Sequence, residues 1–306
     1  MADANAGRPR WRILIWLVPV LIVVAAGAVF GARALRALPE VEAWLRVYPG
    51  EYRLPGWAPV GIPAWLGWQH FFNLFLMALI VRSGWQVRTT RRPPAYFTRR
   101  NIPPFKTKAA PKKVSIHLWL HQSLDLLWLI NGLLFVVLLF ATGQWVRIVP
   151  TSWEVLPNAV SAALQYASFD WPSENGWVNY NALQQLAYFA TVFVAAPLAA
   201  ITGARMSDLW PADSRLSRLY KVEWARALHF PIMLYFVLFT FVHVVLVLAT
   251  GAQRNLNHMF AATDDVASWW GVIWFAGSLV AVAAALIAAQ PLVLRAIAGR
   301  FGKVSR

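Results

Sequence analysis

Of the 306 residues, 59% are hydrophobic and only 13% charged, too little polar surface for a soluble protein of this length, so the composition predicts a membrane protein. Cysteine is absent, which excludes disulfides, thiolate-ligated haem and cysteine-held iron–sulfur clusters and leaves histidine to carry any redox centre. A net charge of +15 would suit nucleic acid, but the basic residues track the ends of apolar segments rather than one face, and nucleic acid is excluded as a partner.

In chain order, six segments are long and apolar enough to span a bilayer: residues 12–33, 62–82, 118–142, 184–203, 226–249 and 268–291. The first follows Arg8, Arg10 and Arg12, and its apolar run exceeds the ~7–15 residues of a signal-peptide core, so it reads as an uncleaved span. The mixed-charge stretch 34–61 ends in a Pro- and Gly-rich run, where Trp57, with Trp65 and Trp68 beyond it, fits an interfacial aromatic belt. The loop 83–117 is rich in Arg and Lys and carries Pro93, Pro94, Pro103 and Pro104, so it is expected to be extended and partly disordered. The loop 143–183 holds Trp145, Trp153, Trp171 and Trp177, with a short surface helix expected near 156–166. The predicted class is therefore an all-α polytopic transmembrane bundle. An N-terminal span and loop occupy 1–61, a four-helix core 62–250, and a loop, last span and tail 251–306.

Charge sets the expected orientation. With the N-terminus cytoplasmic, six spans return the C-terminus to the same side, and of the 28 Lys and Arg only Arg33, Arg36, Arg46, Arg53, Arg147 and Arg254 fall outside. The acids run the other way, with Glu40, Glu42, Glu51, Glu154, Asp170, Glu174, Asp264 and Asp265 outside.

Six histidines are present, and His70, His121, His229 and His243 lie within spans, where an ionisable residue without a partner is expensive. His229 and His243 are fourteen residues apart in one span, which puts them on one helix face within ~40° and separated by ~21 Å along the axis. They cannot share one metal ion, but they can serve two centres at two depths. The alternating direction of the spans pairs His121 with His229 near the inner surface and His70 with His243 toward the outer one. Neutral imidazole is a favoured axial ligand of haem iron, so the pattern predicts two bis-histidine haem b sites. The structural alternative for each residue is an interior imidazole bonded across helices. Ala225, Ala227 and Gly132 leave room nearby.

His117 shares a face with His121 and competes with it as ligand or stands as an interfacial residue, and His258 is expected to be solvated in an outer loop. Asp125, one turn deeper than His121, is a candidate quinone or proton site, an orienting partner of His121, or a neutral group bonded to a neighbouring helix. Arg226 can reach a haem propionate or serve topology alone, and Arg82 presents the same choice.

These residues resemble the bacterial di-haem cytochrome b561 family, which includes the membrane cytochrome subunits of nickel–iron hydrogenases and formate dehydrogenases. The resemblance covers 62–250. It is carried by His-Phe-Phe-Asn from His70, Ser-Gly-Trp at 83–85, His-Gln at 121, Ile-Asn-Gly-Leu-Leu-Phe at 130–135, Leu-His-Phe at 228–230 and Phe-Val-His-Val-Val at 241–245. It implies His70, His121, His229 and His243 as the haem ligands. The stretch Tyr-Asn-Ala-Leu-Gln-Gln-Leu-Ala-Tyr from Tyr180 is similar to members that accompany a molybdopterin-containing oxidoreductase. Relative to the common four-helix form the chain has additional spans, and its charges place the His70 end outside, opposite to the typical orientation.

The expected activity is electron transfer in a bacterial inner membrane, between the quinone pool and a partner oxidoreductase subunit, through two haem b groups. A stand-alone quinone-coupled superoxide oxidase or ferric reductase is the enzyme alternative. A haem-free transporter or scaffold is the alternative of another class.

Overall fold

The computed structural model describes residues 11–103, 106–107, 110–171, 175–207, 210–211 and 215–306. Arg8, Arg10, Pro104 and Glu174, named above from the sequence, lie outside them, as does the side chain of Arg12. The chain is an all-α polytopic bundle, and among the described residues six helices are long and apolar enough to cross a membrane: Ile15–Arg36, Ala64–Thr89, Ile116–Ala141, Ala182–Met206, Val222–Ala249 and Trp270–Ala288. The second runs seven residues beyond its predicted end. Arg82 marks where the hydropathy falls, but nothing there breaks a helix, and the backbone continues to Thr89.

Two compact units divide the residues. One comprises residues up to 56, 146–175 and 179–187. It holds α1 (Trp11–Arg36), α2 (Pro39–Val47) and α5 (Val155–Ala167), with the start of the fourth span, α6 (Ala182–Phe189). Pro39 opens α2 at a position whose N–H needs no partner, and Glu40 and Glu42 in the first turn with Arg46 in the last complement the helix dipole. The surface helix expected at 156–166 is α5, which buries Val155, Asn158, Ala159, Ser161 and Ala162. Arg33 and Arg36 at the end of α1 donate to the backbone oxygen and hydroxyl of Ser168, just past the end of α5.

The second unit, residues 57–145, 176–178 and 188–306, contains every candidate histidine. Its long helices are α3 (Ala64–Thr89), α4 (Ile116–Ala141), α9 (Val222–Ala249) and α11 (Trp270–Ala288). The fourth span enters it through a π-helical turn, Ala190–Ala195, and continues as α7 (Ala196–Met206), after which come the short α8 (Arg215–Leu219), then α10 (Ala252–Ala261) and α12 (Pro291–Ala298). α3 packs on α4, α10 and α11, and α7 packs on α9. The backbones of α3 and α4 approach that of α9 little, and α10 packs on both α3 and α9. Leu76, Leu79, Ile116 and Leu124 form a buried cluster with Phe97, Leu294 and Ala298.

Ser115 caps α4, its side chain accepting the N–H of Leu118 at 3.1 Å. Ser115→Ala is expected to cost about 1 kcal/mol, read as a lower melting temperature of the solubilised chain. Pro231 lies inside α9, yet the helix is assigned without interruption from Val222 to Ala249.

The loop 83–117 departs from its expectation. Tyr96–Arg99 (β1) pairs antiparallel with Val114–Ser115 (β2) and with Gly302–Ser305 (β3), in the order β2–β1–β3. Composition suggested an unpaired proline-rich loop, because β2 is only two residues at the far end of that loop and β3 lies some two hundred residues away, so neither pairing shows in the local composition. Gly302 is required there: a Cβ would fall 2.3 Å from the carbonyl oxygen of Thr98.

Candidate functional site

α9 carries both His229 and His243, half-buried at two depths, while α3 supplies His70 and α4 supplies His121. The structure brings these four residues together as two pairs, those expected from span direction. The imidazole centroids of His70 and His243 are 6.1 Å apart with planes at 54°, and those of His121 and His229 are 6.3 Å apart at 87°. Two imidazoles bound on opposite sides of one metal ion, each through a nitrogen about 2 Å away, have centroids roughly 6 Å apart. Edge-to-face aromatic pairs also occur at this separation, so the nitrogens carry the distinction.

In the His121–His229 pair both Nδ1 atoms are engaged. Ser83 Oγ lies 3.0 Å from His121 Nδ1, and Thr202 Oγ1 lies 2.8 Å from His229 Nδ1. Each hydroxyl has one proton and directs it to its own helix: Ser83 to the carbonyl of Ile80 at 3.0 Å, Thr202 to that of Leu198 at 2.7 Å. With the hydroxyl protons so directed, the rings donate through Nδ1–H and each Nε2 is the lone-pair nitrogen, the tautomer a metal requires. Glycines follow both hydroxyls. A Cβ on Gly84 would sit a tight 3.0 Å from His121 Cε1, whereas one on Gly203 would make ordinary contact, 3.5 Å from His229 Cε1. The sequence gives Ser83 a place in the Ser-Gly-Trp motif but no role, and it does not single out Thr202. A glycine follows each of them, but one also follows Thr142 and Thr250, so the dipeptide alone does not mark the site.

The His70–His243 pair is set in aromatic walls instead. Phe239 stacks on His243 at 5.8 Å with planes at 3°, Tyr188 meets it edge-on at 6.0 Å, and Phe260 meets His70 edge-on at 5.6 Å. His70 Nδ1 is buried without a hydrogen-bond partner among the described residues. Phe260 comes from α10, a segment read from sequence as part of a loop. α10 passes close to α3 and α11 because Gly67 and Gly271 lack side chains: a Cβ on either would fall 2.4 Å from α10 backbone atoms.

At the intermediate depth Trp128 of α4 meets the buried Phe236 of α9 edge-on at 6.2 Å, and its Nε1 donates to Asn73 Oδ1 of α3 at 2.9 Å. Asn73→Leu strands this N–H and is expected to cost about 1 kcal/mol or more, seen as a lower melting temperature and a changed tryptophan emission spectrum.

Asp125 Oδ2 stands 3.7 Å from His121 Nε2, too far for a hydrogen bond, and no neighbouring helix bonds it among the described residues. Arg226 is exposed and has no hydrogen bond or ion pair among the described residues, so nothing in the structure assigns it more than its place one turn before His229. Arg82 donates to the carbonyl of Ala289 at 2.9 Å and so caps the end of α11. His117 is buried at the first turn of α4, and the ring that faces His229 is that of His121. His258 corrects its expectation: it is 3% exposed, with Nε2 2.6 Å from Asp264 Oδ1 and its ring 5.3 Å from that of Trp177. α10 folds that side of the turn inward, which hydropathy of a short polar segment does not reveal. A Cβ added at Gly132 would meet nothing within 4 Å, and Ala225 is fully buried.

No family model, curated protein or solved structure matches the chain. Among the described residues no group of three or more His, Cys, Asp and Glu is placed to hold a metal ion. The histidines come in twos, and two protein ligands suit an ion whose remaining positions are filled by something else. A macrocycle that supplies four equatorial nitrogens fits that donor set, and the two ring spacings are compatible with it.

Proposed function

We propose that the protein is a membrane di-haem b-type cytochrome, of the kind its motifs resemble in the cytochrome b561 family, that moves electrons between the quinone pool and a partner oxidoreductase. The observation that carries this reading is that the two histidines of one membrane-length helix, α9, each face an imidazole from another helix at a separation suited to two ligands of one metal ion. Haem would supply reversible one-electron chemistry at each couple. The chain's contribution is ligation and placement: α9 fixes the interval between the sites, α3 and α4 present the opposing rings, and Ser83 and Thr202 hold two of them in the ligating tautomer. With an imidazole pair holding each haem, the iron would have no open position for oxygen, which favours electron transfer over oxygen activation.

The reading includes a bacterial inner membrane with both termini cytoplasmic and a separate redox subunit, molybdopterin-containing where the Tyr180 stretch is followed. These rest on charge distribution and motif resemblance. Asp125 is the candidate acceptor for a quinol proton, a carboxylate held beside one couple without a hydrogen-bond partner among the described residues.

Anaerobic addition of a short-chain quinol to the oxidised, purified chain tests the function. Reduction of its haem bands is expected, with slow or no steady turnover until a partner or artificial acceptor is present. Bands that dithionite reduces and quinol does not would contradict the quinone assignment. Sustained turnover with superoxide or a ferric chelate by the chain alone would replace the subunit role with that of a stand-alone enzyme.

A further inference from the structure

Resting on the haem reading, we infer that the two sites are electronically unequal, with Ser83 and Thr202 making His121–His229 the lower-potential centre and leaving His70–His243 as the higher-potential one. An imidazole that donates its Nδ1–H to a fixed acceptor becomes more basic at Nε2, and a stronger donor stabilises ferric iron relative to ferrous. Both rings of the first pair have such an acceptor, at 3.0 and 2.8 Å. Each hydroxyl also bonds the backbone of its own helix, an arrangement in which its oxygen can accept from the imidazole.

The second pair has the opposite character. His70 Nδ1 is buried with no acceptor among the described residues, and no hydrogen bond to His243 is found there. Phe239, Tyr188 and Phe260 surround the rings with polarisable but weakly accepting faces. An apolar wall also disfavours the extra positive charge of the ferric state, so ligand strength and environment act in the same direction. Electrons that reach either site therefore come to rest preferentially at His70–His243. Ser83 and Thr202 are positioning residues in this scheme: they touch the ligands and not the iron.

A redox titration of the purified full-length chain tests the inference. Two one-electron waves are expected, the higher one missing in His70→Ala and the lower one in His229→Ala. If an alanine variant is too unstable to titrate, His243→Met keeps a ligand and is expected to raise the higher wave alone, because methionine ligation raises the potential. Ser83→Ala and Thr202→Val are each expected to raise the lower wave, by up to about tenfold in the ferric-to-ferrous ratio or about 59 mV, with the upper wave unmoved. Ser83→Thr, which restores the hydroxyl, is expected to return the wave toward its original position. Full haem content with coincident waves, an inverted assignment, or a lower wave that stays in place in Ser83→Ala and Thr202→Val would overturn the inference while leaving the cytochrome reading intact. A haem-free native chain would overturn both.

Discussion

His243→Ala is expected to remove one of two b-type haems, about half of the Soret intensity, and to leave the other haem with its native spectrum. His70→Ala is expected to give the same loss, because the two rings face each other across one position at 6.1 Å. His121→Ala and His229→Ala are expected to remove the complementary haem, their rings being 6.3 Å apart. The pattern is diagnostic because it is pairwise. Four packed interior histidines would give four independent stability losses and no spectral grouping. His117→Ala, one turn from His121, is expected to keep both haems, since its ring is not the one that faces His229. Haem content of the five variants, normalised to folded protein, checks the set. Loss of haem in any grouping other than these two pairs would break the ligand assignment.

Gly67→Ala is expected to damage one site selectively. Its Cβ would lie 2.4 Å from the carbonyl oxygen of Met259, a backbone atom of α10, so the helices must separate rather than a side chain rotate. Overpacking of this kind costs about 1–3 kcal/mol. Met259 precedes Phe260, whose ring closes over His70, so the displaced helix carries that wall away from the His70–His243 pair. The expected result is a lower melting temperature with weaker retention of that haem and a normal His121–His229 centre. Gly132→Ala is the contrasting control: nothing lies within 4 Å of its added Cβ, and a change within about 0.5 kcal/mol is expected. Equal behaviour of the two variants would show that α10 does not support the site.

Much of the frame was legible because the membrane imposes a simple grammar. A run of about twenty apolar residues has few options in a bilayer, so all six spans were found, and the interval between His229 and His243 implied a shared helix face from sequence alone. Alternation of span direction then paired the remaining histidines by depth. Less legible was whatever depended on contacts distant in sequence. The strand Gly302–Ser305 joins Tyr96–Arg99 across nearly the whole second unit, and the composition of a proline-rich loop carries no trace of such a partner. α10 was lost because its segment is short and mixed in polarity; only Gly67 and Gly271, on helices far apart in sequence, admit it so closely. For the same reason His258 looked solvated, though it is buried against Asp264. Ser83 and Thr202 were given no role because hydroxyls in apolar helices usually bond their own backbone, and these two do so while also holding an imidazole.

A dithionite-reduced minus oxidised spectrum of the purified, detergent-solubilised full chain, with haem quantified per polypeptide, tests the di-haem assignment most directly. Two haems per chain with low-spin b-type bands are expected. A reproducible absence of haem under haem-replete expression would contradict the assignment and leave the histidine pairs as interior contacts of a transporter or scaffold.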